Sequence, residues 1–352
     1  MPRVKGLRER LRDNENIICA EGYMRELERR GYVQYGPNTP EVVLEYPDQV
    51  RSLHQEFVLA GSDVVEAFTY YGHRAKMRLI GRESDLERLN RSALRIAREV
   101  ADQTGTLMAG NICNTCVYDP KDKSTFGPVK KMFEEQIRWA VGEGADYIIA
   151  ETFSDFGEAK LALEAIQEVG KGLPAVVTLT AYCPDVTTDD IPIEEALRQL
   201  EILGADVVGL NCGRGPETMM PLLKKARKIC KGPLAALPVP FRTSDKEITF
   251  QALKDPVSGA PAHPLDIDCC RCSRSDVRRF AKEARALGVQ YVGLCCGSSS
   301  NMLREVAQEY GRTPAAGVYA PDMDKCTLAQ ARTAHVQKRQ FFAYSRVYNI
   351  AT

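Results

Sequence analysis

The stretch RFAKEARALGVQYVGLCCGSSS (279–300) decides the fold. It begins inside a pattern of apolar residues at helical spacing (274–289), meets Gly288, and passes at once into QYVGLC (290–295), a short apolar run of the kind buried strands make. A helix, a glycine and a strand covered on both faces form one unit of a parallel βα alternation. The same junction recurs as AGSD, EGAD, LGAD and LGVQ, before four different apolar runs.

Working outward, the strand candidates are NIICAE (16–21), DVVEAF (63–68), TLMAG (106–110), DYIIAE (146–151), AVVTLT (175–180), DVVGLN (206–211), PLAALPV (233–239) and QYVGLC (290–295). Amphipathic stretches fill the gaps at 46–61, 83–105, 129–145, 157–170, 192–205, 216–232 and 274–289. Eight such units without an internal linker predict an α/β fold, a closed (β/α)8 TIM barrel, over 1–311. Residues 312–352 are expected to form a C-terminal helical arm serving oligomerisation. The Pro- and Asp-rich segment 241–273 reads as a long excursion after the seventh strand. No strand is followed by G-x-G-x-x-G and no G-x-x-x-x-G-K-[ST] occurs, so dinucleotide and P-loop readings lose their support.

Composition narrows the function classes. The 352 residues are 44% apolar and 27% charged, with 47 basic residues against 47 acidic ones. That balance gives no electrostatic reason to expect nucleic acid or a membrane surface as partner. The charged start, MPRVKGLRERLRDNENIICAEG, does not resemble a signal peptide, and no apolar run reaches membrane-spanning length, so a cytoplasmic protein is expected. In a reducing compartment the twelve cysteines are expected to be free thiols.

Catalysis in this architecture occurs where strands end and βα loops converge. The first strand ends at Glu21, the second in Phe68-Thr69-Tyr70-Tyr71, the fourth at Glu151, the sixth at Asn211-Cys212 and the eighth at Cys295-Cys296. Three thiols on one rim suggest Zn2+, which favours thiolates, and three protein ligands leave a fourth position open. A zinc with three thiolates is suited to holding a substrate thiol as thiolate for attack on an electrophilic carbon. Glu21 and Glu151 would then hold the ammonium of an amino acid carrying that thiol. A barrel that binds zinc or thiols without catalysis is the rival from another class.

GLNCGRGP (209–216) and GLCCGSSS (293–300) resemble the two zinc motifs of the homocysteine S-methyltransferase family. The likeness extends over 28–71, DYIIAETF (146–153), 279–297 and the terminal SRVYN (345–349), and is greatest with the betaine-using members. It implies a zinc barrel that methylates L-homocysteine to methionine, with Cys212, Cys295 and Cys296 as metal ligands and Glu151 and Gly22 at the homocysteine subsite. Tyr71 matches a donor-binding tyrosine, and the tail implies a homo-oligomer, dimer or tetramer. Departures fall on the donor side: Glu21-Gly22-Tyr23 replaces Asp-Gly-Gly, Asn38 replaces a Trp, Thr152 an aromatic and Ala67 a Thr. Cation–π attraction holds quaternary ammonium groups, so Tyr23, Tyr70 and Tyr71, with Asn38 nearby, become the expected donor-side residues. The donor stays open among betaine, dimethylsulfoniopropionate, S-methylmethionine and proline betaine.

Two further thiol groups stand outside this scheme. Cys113 and Cys116 form a C-x-x-C just beyond the third strand, where a redox pair or second metal is weighed against loop packing. Cys269, Cys270 and Cys272 crowd the 241–273 excursion, with exposed thiols as the default. His54 is expected to be a packed or surface residue, whereas His73 lies near the donor side.

Overall fold

The computed structural model describes residues 4–34, 36 and 39–322. Asn38 and the arm helix expected within 323–352 lie outside the described residues. The chain divides into two compact units, Met1–Pro314 and Ala315–Thr352. In the second, the described part holds a 3-10 turn, Ala315–Tyr319. No helix among the described residues is long and apolar enough to cross a membrane.

The first unit is a closed barrel of eight parallel strands in sequential order. They are β1 (Ile17–Ala20), β2 (Val64–Glu66), β3 (Leu107–Cys113), β4 (Tyr147–Phe153), β5 (Ala175–Leu179), β6 (Val207–Asn211), β7 (Leu234–Leu237) and β8 (Val289–Leu294). Closure pairs Ile17 with Tyr291 and Ala20 with Leu294. All eight apolar runs became strands because each is buried on both faces, one against the barrel interior and one against the outer helices. The helix Arg274–Ala286 starts in a reciprocal cap, with the Ser273 side chain on the Asp276 N–H and the Asp276 side chain on the Ser273 N–H.

Three features differ from the sequence reading. β3 and β4 run on to Cys113 and Phe153, pairing Cys113 with Glu151, so Cys113 is part of its strand and not beyond it. Helices Tyr23–Arg29 and Ser300–Glu309 follow β1 and β8 and complete the ring. The 241–273 excursion folds back over the barrel mouth. Its bridges join Phe241 to Arg271 and Lys254 to Pro261, and Phe241, Leu253 and Ile267 pack with Cys212 and Cys295 in one apolar cluster.

Inside the barrel, side chains alternate in and out with period two. The lower interior is apolar: Ile17 and Cys19, Val64, Leu107 and Ala109, Ile149, Val176 and Leu237, with Leu7 and Leu11 of helix Leu7–Arg12 in the same cluster. Tyr147 and Tyr291 share a hydrogen bond of 2.8 Å there. Gly293 sits where β8 meets β1, and a Cβ on it would lie 1.8 Å from the Cys19 carbonyl oxygen. Outside the barrel, helix Phe156–Val169 sends Glu158 inward, where its Oε1 accepts from the Thr115 N–H at 2.8 Å and the Thr115 hydroxyl at 2.5 Å. That contact ties down the loop after β3. Burial pushes the Glu158 carboxyl up from 4.5 to about 7.

Two outcomes are expected. Gly293→Ala forces β8 away from β1 and lowers unfolding free energy by about 3 kcal/mol in denaturant titration; a midpoint equal to wild type would contradict the packing. Because the folded carboxyl of Glu158 has the higher pKa, the folded state binds more protons between pH 4.5 and 7. Its contribution is therefore greatest below pH 4.5 and is lost as pH rises through about 7, on the order of 3 kcal/mol. Glu158→Gln should flatten that part of the stability–pH curve, and an unchanged slope would show that the group titrates normally.

Candidate functional site

One pleat above the apolar interior, seven strands turn polar together. The inward positions become Glu21 after β1, Glu66 on β2, Asn111 on β3, Glu151 on β4, Thr178 on β5, Asn211 on β6 and Cys295 after β8. All seven are buried. The two amides link the acids into a chain. Asn111 Nδ2 donates to Glu66 Oε1 and to Glu151 Oε1, both at 2.6 Å. Asn211 Nδ2 donates to Glu151 Oε2 at 2.7 Å and to Glu21 Oε2 at 3.2 Å. Asn211 is oriented in turn by the Thr178 hydroxyl and the Thr152 N–H, each 2.9 Å from its Oδ1.

Burial raises all three carboxyls of this layer, and Glu151 raises the other two further. Burial first, then the neighbouring acids, push Glu21 and Glu66 well above the usual carboxylate range. Burial pushes Glu151 up to about 7, against the Asn111 hydrogen bond that favours its charged form. None of the three forms an ion pair among the described residues, and Glu21 Oε1 is buried without a hydrogen-bond partner.

Beside the acids lie the thiols. The sulfurs of Cys212, Cys295 and Cys296 are all within 4.8 Å of one another, and Glu21, Glu151 and Cys295 also bring ligand atoms within 4.8 Å. These are the metal-competent clusters among the described residues. Hydrogen bonds from Cys212 and Cys295 hold the Cys296 thiol well below its ordinary range, whereas burial pushes Cys295 up. The backbone is bent to bring the thiols together. Cys212 has φ +54°, and Thr152 and Tyr71, at two other strand ends, have φ +62° and +56°. Left-handed non-glycine residues cost about 1–3 kcal/mol each and cluster at functional sites. Gly22, at φ +86°, lets β1 pass under Cys295, because a Cβ there would lie 2.6 Å from the Cys295 carbonyl oxygen.

Above the thiols and acids opens a cavity of about 170 Å³. Tyr23, Tyr70 and Tyr71 line it as expected, with Gly22, Glu66, Glu151, Thr152, Cys212, Cys295 and Cys296. Its remaining aromatic wall comes from Phe68, Tyr182, Phe241, Phe250 and His263. Tyr71 is already engaged, since the Lys76 ammonium sits 4.1 Å from its ring centroid and Tyr70 lies 4.4 Å away. Arg25 ties helix Tyr23–Arg29 to the excursion by donating to the Pro264 carbonyl at 3.0 Å.

The other sequence candidates separate from this site. Cys113 accepts the Tyr71 N–H at 3.1 Å and exposed Cys116 lies 3.7 Å from the Tyr71 hydroxyl, so both touch the wall without lining the cavity. Cys269 and Cys270 lie 3.6 Å apart, Cys269 exposed and Cys270 buried, and neither belongs to a metal-competent cluster. His54 is buried against Tyr23, and burial lowers its pKa to about 3. The residues that sequence reasoning missed are Glu66, Asn111, Tyr182, Phe241 and Phe250. An acid inside the otherwise apolar run DVVEAF was the available signal for Glu66.

Comparison with known proteins agrees with this geometry. The homocysteine S-methyltransferase family pattern matches residues 17–310. An S-methylmethionine–homocysteine S-methyltransferase of Pongo abelii is 35% identical, covering 91% of this chain and 85% of its own. Betaine–homocysteine S-methyltransferase 1 of Bos taurus is 33% identical over 87% of this chain and 74% of its own. The metallated homocysteine methyltransferase MmuM of Escherichia coli shares the fold with TM-score 0.67 at 18% identity, over 85% of this chain and 98% of that one. With the family pattern matching residues 17–310 and relatives up to 35% identical over most of the chain, this chain belongs to the homocysteine S-methyltransferase family.

Proposed function

We propose that the protein moves a methyl group from an onium donor, betaine-like or sulfonium, to the sulfur of L-homocysteine, giving methionine. The observation that carries this reading is the cluster of three thiols, within 4.8 Å of one another, beside the acids Glu21 and Glu151. The donor set fits zinc: three sulfurs, two of them buried, facing a cavity that leaves room for a fourth ligand. Bound by Cys212, Cys295 and Cys296, zinc would keep the homocysteine thiol ionised at neutral pH.

The chain's own groups do the rest. Glu151 and Glu21 hold the homocysteine ammonium, which supplies a positive charge beside them and relieves their mutual repulsion. Gly22 gives the amino acid a close approach to Cys295. The aromatic wall of Tyr23, Phe68, Tyr70, Tyr182 and Phe241 keeps water out and presents ring faces to the onium. In the transfer, a sulfur–carbon bond forms as the methyl–onium bond breaks, and its electron pair stays on the leaving nitrogen or sulfur. Thiolate and onium both become neutral and no proton moves. An apolar wall favours such charge cancellation, because it solvates the separate charges of the ground state less well than the partly neutralised transition state. Positioning of the two partners supplies much of the remaining acceleration. The names of the relatives support the acceptor in common and differ in the donor.

Mass-spectrometric detection of methionine with a donor panel tests the reading. Methyl transfer that requires homocysteine is expected, whereas zinc binding with no methionine from any onium would leave a thiol-binding barrel. Cys212→Ala should lose most of its zinc by metal analysis and nearly all transfer; full zinc content in the variant would contradict the ligand set. Glu151→Gln should raise the KM for homocysteine about 10- to 100-fold, the worth of a charged hydrogen bond, with the donor KM little changed. An unchanged homocysteine KM would place the ammonium elsewhere.

A further inference from the structure

Glu66 has no task in the reaction just described. It is buried, it lines the cavity, and it stands at the far end of the acid chain from Cys295, where it meets Glu151 directly and through Asn111. Glu21 and Glu151 adjoin the thiols; Glu66 is not part of that group. Its neighbours in the cavity wall are Ala67 and Phe68, with Tyr23 and Tyr70 nearby in the lining. Its second oxygen, Oε2, has a weak partner, the Cys19 thiol at 3.8 Å. The side-chain Oδ1 of Asn111, on the amide that bridges Glu66 to Glu151, is buried without a hydrogen-bond partner among the described residues. This end of the layer is thus rich in acceptors and short of N–H donors.

Chemistry restricts what can answer that need. A trimethylammonium or dimethylsulfonium centre has no N–H to give. Its charge also diminishes in the transition state, so a carboxylate placed against it would stabilise the ground state more than the transition state and slow the transfer. A carboxyl in this cavity serves catalysis when it meets a cation whose charge persists through the reaction. The acceptor's ammonium is taken by Glu21 and Glu151. A second persistent ammonium can come only from the donor.

Resting on the homocysteine reading above, we propose that Glu66 is a specificity-determining residue that receives a non-reacting ammonium of the methyl donor. The protein then favours onium donors that are themselves amino acids with a free ammonium. Donors built on a carboxylate without an ammonium have nothing to offer Glu66 and leave its acceptors unsatisfied, which is how a buried polar group discriminates between otherwise similar substrates.

The test compares two donors with the same dimethylsulfonium group, S-methylmethionine, which has an ammonium, and dimethylsulfoniopropionate, which has none. Calorimetric titration of the zinc-loaded protein, with homoserine in excess to fill the acceptor subsite without a thiol, reads binding separately from turnover. Wild type should bind S-methylmethionine at least about tenfold more tightly, and Glu66→Gln should bring the two within about twofold. The KM for homocysteine should stay within about threefold in Glu66→Gln, which separates a donor role from a general loss of the acid chain. Glu66→Asp, which keeps the charge, should keep the preference. A wild type that binds both donors equally, or a preference that survives in Glu66→Gln, overturns the proposal. Failure to form methionine with any donor would overturn the reaction instead, and the binding ratio would still decide the role of Glu66.

Discussion

Two asparagine amides, Asn111 and Asn211, hold three buried carboxyls in one layer of the barrel. Glu66, Asn111, Glu151, Asn211 and Glu21 form a continuous chain of hydrogen bonds across the mouth. Four N–H donations serve three buried carboxyls, and burial pushes all three toward their neutral forms. In the proposed reading, incoming ammonium groups would meet these acids. Everything else at the mouth is arranged relative to that layer: the thiols at one end, the aromatic wall above, and the excursion as cover.

The barrel suits this arrangement because its interior changes character at a single level. Below it, apolar side chains and the Tyr147–Tyr291 pair fill the core. Above it, the same inward positions turn polar in seven strands, and the chain exits into loops with left-handed residues at Tyr71, Thr152 and Cys212. Those residues hold strain that the barrel below over-determines. Thiols, acids and aromatic rings line one cavity because one set of strand ends and the excursion over it supply all three.

Much of this was legible in the sequence, and the reasons are specific. Eight apolar runs with glycine junctions could hardly be anything other than strands buried on both faces, so the barrel followed. Cys212, Cys295 and Cys296 could be grouped because each sits at a strand end. For Glu66 the acid in DVVEAF was a signal, but its inward direction was not legible, because such a run hides which residues face inward when both faces are buried. Asn111 fell past the expected end of β3, since NIC offers no alternation to extend a strand. Phe241 and Phe250 belong to an excursion whose return over the mouth is a matter of tertiary packing, carried by Leu253 and Ile267 against the thiols. Asn38 lies outside the described residues, and the cavity's aromatic wall is described from Tyr23, Tyr70, Tyr71 and the rings that join them.

The central claim is that three cysteines of this chain hold a zinc whose fourth ligand is the substrate sulfur. X-ray absorption at the zinc edge, on the zinc-loaded protein with and without L-homocysteine, measures it directly. The predicted result is three sulfur neighbours in the free protein and four once homocysteine is added. A zinc environment with no change in sulfur number on adding homocysteine, or one dominated by nitrogen and oxygen, would contradict the account.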